Sequence, residues 1–211
     1  MLKVHVAWGG GIHSAKWLPV DVSLVSSVKE ADLVIFTGGG DISPSIYNET
    51  CHGRNWYYER DREEVEVFDD AISLGKPMIG ICRGAQLICA KSGGRLVQDL
   101  NHPGGHMLKT TDSEFPEVLV NSIHHQLMYP FEMNKKEYEI LAYTPNISKH
   151  HYDGEGNQME LTCEPEIVLF PKSNALGFQC HPEMIGRPDK GSYQNTVKYF
   201  DKIVKNFLNI K

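Results

Sequence analysis

No apolar run in this 211-residue sequence approaches the ~20 residues that cross a bilayer, and Met1 to Ala7 leads straight into a strand without a signal-peptide pattern. A cytoplasmic protein with no membrane partner is expected. The five cysteines (Cys51, Cys82, Cys89, Cys163 and Cys180) are odd in number and form no CxxC pair, which argues against a disulfide framework or a zinc ribbon and fits a reducing compartment. A basic excess is missing too. With a formal charge of -6 and a pI near 5.9, the chain has no electrostatic footprint for nucleic acid, and a small-molecule substrate fits better. Repeats, low-complexity tracts and linkers are absent, and 41% hydrophobic residues suffice for a full core. One domain over residues 1–211 is expected.

Two further signals are incomplete. Gly9-Gly10-Gly11 follows the first strand, but it lacks the Gly-x-Gly-x-x-Gly spacing and the P-loop Lys-Ser/Thr, so a tight turn is the better reading than a phosphate cradle. His102, His106, His124 and His125 cluster in sequence, yet Pro103-Gly104-Gly105 breaks the helix a His-x-x-x-His pair needs and no acidic residue stands at ligand spacing. Neither a metal nor another cofactor is expected.

What is present centres on Lys76 to Leu87. Pro77 to Ile81 is a short apolar run suited to a buried strand, and Arg83 to Ala90 consists of good helix formers, which puts Cys82 at a strand-to-helix junction. Gly80 and Gly84 flank it, with the mechanics of the Gly-x-Ser-x-Gly elbow. A thiol at a helix N-terminus is drawn toward the reactive thiolate by unsatisfied N–H groups and the helix dipole. Cys82 therefore reads as a nucleophile; a buried structural cysteine is the alternative. Near the C-terminus, Gly177-Phe178-Gln179-Cys180-His181-Pro182-Glu183 supplies a base and, two residues on, a carboxylate on the same side of an extended chain. A nucleophile, a base and an orienting group are then all available in Cys82, His181 and Glu183.

Gly-Ile-Cys-Arg-Gly-x-Gln followed by His-Pro-Glu resembles the class I glutamine amidotransferase superfamily, and closest to it the gamma-glutamyl hydrolase-like branch, the peptidase C26 group. Thr37-Gly38-Gly39-Gly40-Asp41, Arg60-Asp61, Ser92 to Leu96 and Val120 to Gln126 match that branch in order. The resemblance covers roughly residues 32 to 185, and the segment ahead of Gly38 is short for the branch, which would open or reshape one wall of the pocket. It implies an oxyanion hole built from the N–H of Gly39 or Gly40 and that of Arg83. It further implies substrate-holding roles for Gln86 and for Asn121, Ser122, His124 and His125, and not that of the base; the assignment of the base to His181 rests on the paired Glu183, and on the residues alone His124 or His125 is its rival.

Taken in order, strands are expected at Lys3 to Ala7, Val22 to Val25 and Leu33 to Phe36. Residues 42 to 60 form a long connection in which Arg54 and Arg60 are candidate carboxylate partners, or in which Arg60 and Asp61 pin the loop. A helix over Asp61 to Leu74 opens on a capping-box pattern and returns the chain to the nucleophile strand. Tyr138 to Tyr143, Met159 to Cys163, Glu166 to Phe170 and Ala175 to Cys180 read as β-type runs, and Tyr193 to Ile210 as an amphipathic covering helix. The expected fold is α/β: a doubly wound, mostly parallel sheet with flanking helices, flavodoxin-like, plus an antiparallel extension.

The expected chemistry is hydrolysis of a gamma-glutamyl amide, in glutamine or a gamma-glutamyl amine, through a thioester on Cys82 that releases glutamate. The alternative is a glutaminase subunit passing ammonia to a separate synthetase partner. A catalytically silent binding protein on the same fold is the third reading.

Overall fold

The computed structural model describes residues 1–9, 11–50, 58–101, 104–145, 147–185 and 193–210. Gly10, Cys51, Arg54 and His102, singled out above, lie outside them. Three early strands, β1 (Leu2–Val6), β2 (Val22–Leu24) and β3 (Leu33–Phe36), are followed by helix α1 (Tyr58–Ser73), strand β4 (Met78–Ile81) and helix α2 (Arg83–Lys91). Short strands β5 (Arg95–Val97) and β6 (Asp99–Leu100) lead to β7 (His106–Thr110), β8 (Glu117–Val120) and β9 (Leu127–Tyr129). The chain continues through β10 (Glu139–Thr144), β11 (His151–Tyr152), β12 (Glu164–Phe170) and β13 (Ala175–Phe178) to α3 (Pro182–Ile185) and α4 (Gln194–Leu208).

Nine of these strands form one sheet in the order β2-β1-β3-β4-β13-β12-β10-β7-β8. The pairs from β2 to β13 are parallel, and those from β13 to β8 are antiparallel. The antiparallel extension is thus as large as the parallel core. β3 and β4, buried on both faces, are near-continuous apolar runs, as strands of a covered parallel sheet must be. Their side chains alternate: Val34, Phe36 and Met78 pack with Phe68, Ala85 and Ile88 of α1 and α2, while Leu33, Ile35, Ile79 and Ile81 pack with Trp17, Tyr199, Phe200 and Val204 on the α4 side. Phe178 anchors the second layer edge-on to both Trp17 and Phe200, with centroids 5.2 Å apart in each case.

The expected helix over Asp61 to Leu74 begins one turn earlier, at Tyr58. Asp61 is therefore not an N-cap. It is drawn inward because its carboxylate accepts the Ser43 N–H at 3.0 Å and pairs with Arg83. Met159 to Cys163 is not a strand; only Gln158, beside it, forms a bridge, to Tyr152. Among the described residues no α-helix precedes α1: the links from β1 to β3 are 3-10 turns, with Gly9, Gly11 and Pro19 interrupting any longer helix. Trp17 and Leu18 from the first of these links cover the sheet where a crossover helix would otherwise lie.

Candidate active site

β4 ends on Cys82, whose backbone has φ 50° and ψ -105°, a conformation a non-glycine residue adopts only when its surroundings hold it. The holding is visible. A Cβ at Gly80 would stand 2.5 Å from the Ala85 nitrogen, and one at Gly84 would collide with the Phe36 carbonyl, so α2 sits hard against β3 and β4. The Cys82 N–H donates to the Phe178 carbonyl at 2.6 Å, continuing the β4–β13 pairing to the junction itself. The elbow expected from Gly80 and Gly84 is therefore built into the sheet.

The same pairing brings the end of β13 beside Cys82. His181 Nδ1 lies 2.8 Å from Glu183 Oε1, and the imidazole is buried. Burial pulls its pKa down, but hydrogen bonding to Cys82 and Glu183, together with their charges, outweighs that and raises it to about 10. Burial pushes the thiols of Cys89 (to about 12), Cys163 and Cys180 up, which keeps all three protonated.

Two contributors were not assigned these positions from sequence. Gln179 Nε2 reaches the Cys82 sulfur at 3.8 Å. β13 ends at Phe178, so Gln179 and Cys180 lie in a bend beyond it, and Glu183 stands in α3 and not in the extended chain expected from sequence; strand alternation therefore places neither Gln179 nor Glu183. Asn121, expected at the substrate, grips the backbone of His181: its Nδ2 donates to the His181 carbonyl at 2.9 Å and its Oδ1 accepts the His181 N–H at 2.8 Å. A single amide thus fixes the peptide groups on both sides of the His181 Cα.

The remaining candidates divide. Gly38 packs against the pair, since a Cβ there would stand 2.7 Å from His181 Cε1 and 3.7 Å from Cys82 Cβ. Gly39 and Gly40 are exposed beside it, with Gly39 at φ 154°. Gln86 is buried and donates to the Gln126 carbonyl at 3.1 Å, which braces the 121–126 loop against α2. Ser122 is buried in that loop. His125 meets the Asp41 carboxylate at 2.9 Å, joining the loop to the end of the glycine stretch. His124 is buried, with Nδ1 2.9 Å from the Gln126 carbonyl and Nε2 3.5 Å from Glu166. His106 approaches the same Glu166 oxygen at 3.5 Å. No group of three such residues converges as metal ligands would, among the described residues.

Below the glycine stretch lies a buried charge network. Arg83, the residue after Cys82, pairs with both Asp61 and Glu64. Glu64 also accepts from Arg60 Nε at 3.0 Å, and Arg60 Nη2 donates to the carbonyls of Thr37 at 3.0 Å and Gly38 at 3.1 Å. The pinning of the loop by Arg60 and Asp61 is thus real, but it acts on the glycine loop and not on residues 42 to 60 alone.

Residues 17–127 match the family model of peptidase C26. The chain is 31% identical over 140 residues to the glutamine amidotransferase-like protein YvdE of Lactococcus lactis, an alignment that takes in 55% of this chain and 59% of YvdE. It is 28% identical over 211 residues to the imidazole glycerol phosphate synthase subunit HisH of Gloeothece citriformis, covering 94% of this chain and 87% of HisH. In three dimensions it is similar to the glutaminase domain of Trypanosoma brucei CTPS, with a TM-score of 0.62 at 14% identity over 100% of this chain and 95% of that one. That likeness bears on the fold alone. With a family model matched over more than half its length, the chain belongs to the peptidase C26 family of the class I glutamine amidotransferase-like superfamily.

Proposed function

We propose that the protein hydrolyses gamma-glutamyl amide bonds, in glutamine or in a gamma-glutamyl amine, with Cys82, His181 and Glu183 as the catalytic triad. The observation that carries this is the strained Cys82 at the mouth of α2 beside an imidazole that is itself 2.8 Å from a carboxylate. Cys82 attacks the gamma-carbonyl carbon, and the oxygen takes the negative charge, stabilised by backbone N–H groups of the glycine loop and of Arg83. Collapse of this adduct breaks the C–N bond, and His181 gives its proton to the departing amine. Water, losing a proton to the same imidazole, then breaks the thioester, which releases glutamate and restores the thiol. Glu183 holds the imidazole in register and favours its charged form.

The test is glutamate release by the purified protein from glutamine and from a panel of gamma-glutamyl amines. Parent protein should release it and Cys82→Ala should not, a loss of at least ~10³-fold. Equal release by both, or none by either, would overturn the reading. A second reading draws on HisH, which is named as a synthase subunit: the chain would be a glutaminase that delivers ammonia to a separate synthetase. In that case release would be confined to glutamine and would rise on addition of the partner.

A further inference from the structure

We infer that Arg60 is a positioning residue that locks the glycine loop as an oxyanion donor, so that the hole is formed in the isolated chain; this rests on the hydrolase reading above. The argument begins at one peptide group. Arg60 Nη2 donates to the Gly38 carbonyl at 3.1 Å, and that carbonyl belongs to the same planar unit as the Gly39 N–H. No peptide among the described residues is cis, so the N–H and C=O of this unit point opposite ways. With the carbonyl turned to the guanidinium, the Gly39 N–H is turned away from it. Gly38 itself abuts His181 and Cys82. Gly39, not Gly40, becomes the donor.

Two features make this orientation hard to reverse. A second bond from the same nitrogen, to the Thr37 carbonyl at 3.0 Å, holds the preceding peptide as well. Gly39 also lies so close over the guanidinium that a Cβ there would collide with Arg60 Nη1. The guanidinium is in turn held by Glu64, which pairs with Arg83, whose own N–H is the other proposed donor. The two halves of the hole are therefore tied through one chain of buried charges, from the Gly38 carbonyl through Arg60 and Glu64 to Arg83. A single ammonium on Lys lacks the planar fork that serves Glu64 and both carbonyls at once.

The experiment compares Arg60→Lys and Arg60→Ala with parent and with Arg62→Ala, an exposed control on the same helix. It reads kcat and KM for glutamate release, the alkylation rate of Cys82 by iodoacetamide, and the crystal structure of Arg60→Ala. Expected for both Arg60 variants is a kcat lower by ~10² to 10³-fold, the scale of a lost oxyanion donor. KM and alkylation should change by less than about threefold, because neither uses the hole. Added guanidinium ion should restore part of the kcat of Arg60→Ala. In the crystal the Gly38–Gly39 peptide should be turned. A kcat within about threefold of parent, a parallel loss of thiol reactivity, or failure of both variants to fold would overturn the inference. If the parent releases no glutamate from any gamma-glutamyl amide, the hydrolase reading falls; the peptide in the Arg60→Ala crystal still decides the role of Arg60, and an unturned peptide overturns it.

Discussion

At the scale of single residues, the pH response follows from His181. Its imidazole is raised from the ordinary 6.5 to about 10, so the charged form persists through neutrality. In the proposed reaction the proton for the leaving amine is present on His181 below that value and lost above it, so glutamate release should fall as pH rises through about 10. Glu183→Gln removes one of the groups that raise it, so the alkaline limb of the pH–rate profile should move to lower pH while kcat falls. The same shift bears on stability. A pKa higher in the folded than in the unfolded chain contributes stability that is complete below about 6.5 and is given up progressively until about pH 10. A urea midpoint of the parent protein that rose across this interval would contradict it. Gln179 and Asn121 teach a different point. Both stand in runs that the sequence marked, but an amide side chain bonds equally well to substrate, sulfur or backbone, and only the geometry selects among these.

At the scale of elements, the strand–elbow–helix unit depends on α2 reaching the sheet. Gly84→Ala would place a methyl group against the Phe36 carbonyl, which is backbone and has no rotamer by which to withdraw. Overpacking of this kind costs ~1 to 3 kcal/mol. It should appear as a lowered urea midpoint together with slower Cys82 alkylation, because moving α2 relaxes the strained junction. The first turn of α1 shows how a local pattern can be outvoted. Asp61-Arg62-Glu63-Glu64 has the spacing of a capping box, yet Asp61 and Glu64 turn to Arg83, a fully buried guanidinium from another helix. An arginine placed in the core must be paired there, and that requirement exceeds the ~1 kcal/mol of a cap.

At the scale of the whole molecule, the sheet joins a parallel half to an antiparallel half at β13, the strand that carries His181 to Cys82. Phe178, at its end, is completely buried between Trp17 and Phe200. Phe178→Ala should cost ~3 to 5 kcal/mol in urea denaturation, since the two rings against it, Trp17 and Phe200, belong to separate segments that have no common backbone to close the gap. No helix among the described residues is long and apolar enough to cross a membrane.

The sequence by itself determined the alternation of buried strand and helix around Cys82, the parallel core, the family, and the residue types available for nucleophile, base and orienting group. These are local in origin: apolar runs, glycines at a sharp turn, and a histidine two residues from a carboxylate each act within a few positions. Only the tertiary structure decided that Asn121 grips His181, that Gln86 braces a loop, that Arg60 holds the glycine stretch, and that within the nine-stranded sheet the antiparallel pairings equal the parallel ones in number. Each of these joins residues more than twenty positions apart, or depends on which strand edges meet. Such pairings are fixed by burial and by the need to satisfy every polar group taken from water, a condition on the whole packed chain that no short window of sequence contains.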